Sequence, residues 1–352
     1  MTDRPKARRI RRKKDVSPAA PKPHGLPSTL SRIRLSLSFR IAAHFSFQLV
    51  RTFLPALLIL TLAFAGGTLY LAERDISRLQ CAPLSADGTI DAGWMSRVKE
   101  VVDYAYNDGL YVILNVHHDD ALWLVPTKDK LESDKATLTA IWKQICATFQ
   151  DYDHRLIFEG MNEPRVIGSA EEWTGGTQES YDVINELFQA FVDTVRASGG
   201  SNTDRTVIVT DYAQSAEKKA IEGMIVPKDD HVIVSLHIYA PWKFCGPDDT
   251  RADWGSDADK KELDETFQYL DDTFISKGIP VIIDETGCVN KNENTSARAA
   301  WFSYYLSAAK KHGIKCFIWD NNETKNGFGL LNRKDCTWYY PEIIQAIQDA
   351  VK

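Results

Sequence analysis

The chain has 352 residues, enough for one large α/β barrel or two ordinary domains, and its 44% hydrophobic and 11% aromatic content can fill a sizeable core. A net charge of -6 hides a split: residues 1–72 hold 13 Lys/Arg against 2 Asp/Glu, and the remainder holds 29 against 46. The acidic part repels phosphate, which argues against a nucleic-acid partner.

From the amino terminus, the first feature is the basic run RPKARRIRRKK at residues 4–14. The Pro- and Ser-containing stretch after it cannot pack a core, so residues 1–51 are expected to be a basic, disordered tail. Residues 52–72 are uncharged, between Arg51 and Glu73. As a helix this run would rise ~30 Å, about the hydrocarbon thickness of a bilayer. With basic charge before it, it is predicted to be a transmembrane signal anchor, with a lipid bilayer as partner and the rest of the chain extracytoplasmic. A nucleic-acid patch for the tail and a buried soluble helix for the apolar run are the competing readings.

From about residue 84, apolar strands alternate with amphipathic helices. Six strand-like runs are predicted at 111–118, 155–163, 206–211, 232–239, 280–287 and 314–322, β-branched and nearly continuously apolar, as strands buried on both faces should be. Helices are predicted at 92–107, where Trp94, Val98, Val101, Val102 and Ala105 recur at helical spacing, and around 136–150, 178–198, 257–276, 295–312 and 341–351. Serial βα units without a G-x-G-x-x-G turn favour a (β/α)8 TIM barrel over a doubly wound sheet. Six cysteines lack any paired short spacing, so no zinc knuckle or C-x-x-C is present; most are expected to be small buried apolar residues, with disulfides left open.

Polar residues follow the apolar runs: His117-His118-Asp119, Asn162-Glu163, Asp211, His237 and Tyr239, Asp284-Glu285, and Trp319 through Asn322. Barrel active sites are built at that end of the strands. Glu163 and Glu285 end two well-separated strand runs, as a pair of carboxyl groups cleaving a glycosidic bond would. Glu163 is the expected acid/base, protonated at rest through burial and a nearby anion, and Glu285 the expected ionised nucleophile. Alternation along a strand turns Asn162 and Glu163 to opposite faces, but the twist relaxes at a strand end, so Asn162 could still reach a sugar 2-hydroxyl. Tyr239 could hold Glu285 and His237 could orient the acid, while Trp319 offers an apolar plane for a sugar ring. His117 and His118, adjacent on a strand, make a poor chelate, so neither metal nor cofactor is expected.

The stretches YVILNVHHDD (111–120), LIFEGMNEPR (156–165), VIVSLHIYAP (232–241), PVIIDETG (280–287) and FIWDNN (317–322) resemble glycoside hydrolase family 5, most closely its endoglucanase subfamily 4. The resemblance covers roughly residues 84–352. It implies a (β/α)8 barrel and retaining hydrolysis of β-1,4-linked glucans: cellulose, mixed-linkage glucan or xyloglucan. It matches Glu163 to the acid/base, Glu285 to the nucleophile, and Asn162, His117, His237, Tyr239 and Trp319 to substrate-site residues, with His118 as an additional subsite residue.

Two departures stand out. The nucleophile strand, IGEFG-like in the family, reads IDETG here, with Asp284 and Thr286 at the changed positions. The family's first two strands, with a G-W-N-L-G-N-like and an R-I-P-V-like run, do not precede Ala92. The expectation is therefore a barrel with only strands three to eight recognisable, in which the strand from Tyr111 lacks its neighbour. Two alternatives to an active endo-β-1,4-glucanase follow: a carbohydrate-binding pseudoenzyme or truncated gene product, and a mannan- or xylan-acting relative. Secretion replaces anchoring if residues 1–82 are an artefact.

Overall fold

In the computed structural model the described residues are 68–70 (backbone only), 84–85, 88–119 and 122–352. The chain divides into Met1–Val50 and Arg51–Lys352, and all described residues belong to the second unit. The tail at 1–51 and most of the anchor run, residues 52–67, lie outside the described residues.

The β-branched runs form one parallel sheet whose seven strands lie side by side in chain order: β1 Thr68–Tyr70, β2 Tyr111–Asn115, β3 Leu156–Glu159, β4 Val207–Val209, β5 Val232–His237, β6 Val281–Thr286 and β7 Lys315–Ile318. All six predicted strands are present. Each is shorter than its run by residues at one or both ends. Helices α1 Ala92–Asn107, α2 Leu131–Phe149, α3 Gln178–Ala197, α4 Lys218–Gly223, α5 Trp242–Cys245, α6 Asp257–Thr273, α7 Thr295–Lys311 and α8 Pro341–Val351 fall after or between strands. A two-stranded ribbon, β8 Leu331–Asn332 and β9 Thr337–Trp338, follows β7.

Local chemistry sets the helix ends. Asp91 caps α1 by accepting from the Trp94 N–H at 2.8 Å, and Ser256 with Asp259 forms a capping box on α6. The short α4 and α5 have no strong period and are missed by sequence reading.

Two apolar clusters show how the sheet is bent. The large one packs helices against its outer face, with Trp142, Phe191, Phe267 and Trp301 fully buried. The small one joins Ile113, Ile157, Ile208, Ile282 and Phe317. Ile113 lies on β2 and Phe317 on β7, far apart in strand order, so the sheet must curl for them to share a cluster. Arg205 is buried between the end of α2 and the start of β3. Its guanidinium donates to the carbonyls of Phe149, Tyr152, Asp153 and Leu156 and to Asn202 Oδ1.

Two expectations are corrected here. The strand from Tyr111 does have a neighbour: Thr68–Tyr70 pairs in parallel with Tyr111–Ile113. Those three residues are strand, where the apolar run had been read as helix through residue 72. Among the described residues no helix is long and apolar enough to cross a membrane. Cys146, Cys245, Cys288 and Cys316 are buried, unbridged thiols, as small apolar residues would be. Cys81 lies outside the described residues.

Candidate active site

The small apolar cluster is the floor of the site. Counting two residues onward from its members reaches the next layer on the same face: Glu159 from Ile157, Ser235 from the flanking Ile233, and Asp284 from Ile282. These polar side chains are buried. Gln214 joins them: its Nε2 lies 2.7 Å from Glu159 Oε1, 2.6 Å from Ser235 Oγ, and 3.3 and 3.1 Å from the Asp284 oxygens.

Above this layer is the mouth. The chain leaves β3 at Gly160, where a Cβ would lie 2.8 Å from the Phe191 ring, so only glycine lets it pass this close to α3. The Trp142 indole N–H donates to the Gly160 carbonyl at 3.0 Å, and the Asn162 N–H to Val116 O at 2.9 Å. Glu163 therefore sits in a loop four residues past the strand, not at its end, and the alternation expected for Asn162 and Glu163 does not apply. Its φ is +40°, a strained value for a non-glycine. The strain is held on both sides: its N–H donates to Gln214 Oε1 at 2.9 Å, and Arg165 Nη1 donates to its carbonyl at 3.1 Å.

Glu285 reaches the same place by a register slip. Pairing shifts between Leu236 and His237 and again between Ile283 and Thr286. A regular pleat would send Asp284 and Glu285 to opposite faces; with the slip, both approach His237. His237 Nδ1 lies 2.8 Å from Glu163 Oε1 and 3.5 Å from Glu285 Oε2, and Nε2 lies 3.3 Å from Asp284 Oδ1. The Tyr239 hydroxyl donates to Glu285 Oε2 at 2.8 Å. One oxygen of Glu163, one of Glu285 and a His237 nitrogen all lie within 4.8 Å of one another.

The proton distribution differs from expectation. Burial alone would strip His237 of its proton. The charges of Glu285 and Asp284 and the Glu163 bond more than offset this and hold the imidazole charged well above the usual histidine range. Burial also pulls Glu163 upward, but its bond to His237, the His237 charge and Arg165 outweigh it, and Glu163 ends below the ordinary glutamate value. Glu285 is pushed up to about 7, chiefly by burial and by the charge of Glu163. At rest, then, the proton expected on Glu163 is on Glu285, because the imidazolium bonds Glu163 more closely than Glu285.

The other predicted residues divide. His117 and Trp319 stack with ring centroids 6.2 Å apart, bringing the ends of β2 and β7 together across the mouth. Burial, then the neighbouring His118 and His237, lowers His117 to about 3, so it is a neutral ring. His118 is exposed and meets His117 edge-on at 4.5 Å. Asn162 is buried, and its Oδ1 has no hydrogen-bond partner among the described residues. Asp211 does not join the pair; its Oδ1 accepts from the Ser215 N–H at 2.9 Å. Asp320 and Asn321 are structural: Asp320 accepts from the Asn322, Leu330 and Leu331 N–H groups and Asn321 from Glu323 and Phe328.

Sequence reading missed Glu159, Gln214, Ser235 and Arg165. The two-residue period marked Glu159 and Ser235, and Arg165 follows Asn162-Glu163-Pro164. Gln214 had no local signal, because it arrives from a left-handed turn after β4. Glu163, His237 and Glu285 are compact enough to surround a cation. However, His237 Nδ1 is turned onto Glu163 as a donor, and the Tyr239 hydroxyl occupies Glu285 Oε2.

A curled parallel sheet with two carboxyl groups facing across its carboxyl-terminal rim defines a TIM-barrel-like glycosidase architecture. The family model described as Cellulase (glycosyl hydrolase family 5) matches residues 76–325, and the chain belongs to that family of O-glycosyl hydrolases. It is similar to Endoglucanase A of Clostridium longisporum, 45% identical over 270 residues, covering 75% of this chain and 52% of that protein. The chain thus spans about half the length of that relative. Similar solved structures belong to subfamily 4. One is a broad specificity endoglucanase from Clostridium acetobutylicum, with TM-score 0.76 and 39% identity, covering 84% of this chain and 89% of that one. Another, from Ruminococcus champanellensis with bound cellotriose, has TM-score 0.72 and 43% identity and covers 75% and 78%.

Proposed function

We propose that the chain is a retaining endo-β-1,4-glucanase in which Glu163 is the acid/base and Glu285 the nucleophile. The observation that carries this reading is the approach of the two carboxyl groups to within 4.8 Å, close to the ~5–5.5 Å of retaining glycosidases and too close for a water between them. Glu285 attacks the anomeric carbon while Glu163 protonates the leaving oxygen. Water then cleaves the glycosyl-enzyme with Glu163 as base.

The proton count fits. Below about pH 7, Glu163, His237 and Glu285 together hold two protons, on His237 and Glu285. The working arrangement needs the same two, with one moved from Glu285 to Glu163 over less than 4.8 Å. Above about pH 7 that proton is lost and the acid with it. Activity on barley β-glucan should therefore fall as pH rises through about 7. A profile flat to pH 9 would refute this assignment.

His117 and Trp319 supply a stacked aromatic wall at the mouth, and Asn162 Oδ1 is an acceptor awaiting a hydroxyl. The cellotriose-bound subfamily 4 relative supports a β-1,4-linked glucan as substrate over mannan or xylan. Proton NMR of the first-formed product should show the β-anomer; α-anomer would mean inversion.

A polymeric glucan substrate would be met outside the cytoplasm, and the basic-then-apolar order of residues 1–67 supports that reading. With Thr68–Tyr70 in the sheet, the uncharged run from 52 to 67 would span only ~24 Å as a helix, short for an anchor. Fractionation of expressing cells separates membrane-held from released enzyme.

A further inference from the structure

We propose that Asp284 is a positioning residue: a sealed counter-ion beneath the catalytic pair that fixes both the His237 imidazole and the Glu163 backbone. This rests on the roles assigned to Glu163 and Glu285 above.

Two routes lead from Asp284 to Glu163. The first runs through His237, whose Nε2 lies 3.3 Å from Asp284 Oδ1 while Nδ1 lies 2.8 Å from Glu163 Oε1. The Nε2 contact is an ion pair off the line of a hydrogen bond, so its effect is Coulombic rather than directional. The Asp284 side chain is 0% exposed and that of His237 4%, so no water can take over the charge. The second route runs through Gln214. Its Nε2 lies 3.1 Å from Asp284 Oδ2, and its Oε1 accepts the Glu163 N–H at 2.9 Å, where the backbone is strained. One amide thus reports the position of Asp284 to the acid/base.

Glu159 completes the device. Burial, then the charge of Asp284, holds its carboxyl protonated, so the lower pair carries one negative charge rather than two. The titratable groups interacting with His237 are Glu163, Glu285, Asp284, Glu159, His117 and Asp211, with Tyr239 acting through Glu285 and Arg165 through Glu163. Removing one negative charge from this buried set loosens every proton in it, however the protons are shared.

The test uses the full chain with D284N and E159Q. For D284N, kcat on barley β-glucan should fall ~10–100-fold with KM little changed, because the acid is misplaced rather than the substrate. The alkaline limb of kcat/KM should move to lower pH by about one unit. E159Q replaces a neutral group by a neutral one, so it should lower kcat less and leave the limb in place. An unmoved limb in D284N, or a loss confined to KM, overturns the proposal.

Should D284N not fold, nitrogen-15 imidazole NMR of the unaltered protein decides. Both His237 nitrogens should be protonated at pH 7, with the signal assigned by its loss in H237N; a neutral ring overturns the proposal. Normal turnover by E163A would sink the underlying acid/base assignment instead, and the NMR result does not depend on that.

Discussion

Two carboxyl pairs join β3 to β6, one above the other. The upper pair, Glu163 and Glu285, lies at the mouth; the lower pair, Glu159 and Asp284, is sealed beneath it. Both gather acidic groups that would repel each other if all were ionised. The lower pair keeps one proton through burial. The upper pair holds its proton only to about pH 7, with a charged histidine wedged between the two glutamates. One pair keeps its proton; in the proposed mechanism the other passes it on. What separates them is contact with the imidazolium and the route to a ligand, not residue type.

The sharpest way to break that comparison is to remove the upper pair. E163A and E285A should each lower kcat on barley β-glucan by about 10³-fold or more, measured as reducing ends released. Near-normal turnover in either variant would place the chemistry elsewhere. Next in size is R205M, which touches neither pair but strips five acceptors of their donor. Four of those acceptors are carbonyls between α2 and β3 and the fifth is Asn202 Oδ1 after α3; their loss should cost about 3 kcal/mol or more by urea denaturation, with any surviving folded enzyme still active. A loss of activity at unchanged stability would mean that the scaffold and the mouth are not separable.

Y239F removes the hydroxyl that bonds Glu285 and should lower kcat ~10-fold. The sign of its pH effect is opposite to that of D284N. Without that bond Glu285 holds its proton more tightly, so the alkaline limb should move to higher pH. Limbs moving the same way in both variants would rule out the separate roles given to the two pairs. The smallest effect belongs to the β1 edge: L69P removes a ladder N–H and should lower Tm by a few °C. An unchanged Tm would show that Thr68–Tyr70 adds nothing to the sheet.

The β-branched runs, the helical period of Ala92–Asn107 and the polar residues at run ends were enough to read a parallel βα fold with its site at one rim. They also named Glu163, Glu285, His237 and Tyr239 as partners, because buried strands and strand-end carboxyl groups leave a local pattern. The pairing of Thr68–Tyr70 was hidden, since an apolar run of that length reads equally as a helix. So was the register slip on β6 that brings Asp284 and Glu285 to His237 together, because alternation along one strand says nothing of its neighbours. The resting proton could not be placed from sequence either: it follows from an imidazole closer to Glu163 than to Glu285 and from charges far away along the chain. Local pattern declares which groups are present, but the energy of a buried charge depends on what surrounds it in space, and only the folded chain sets that.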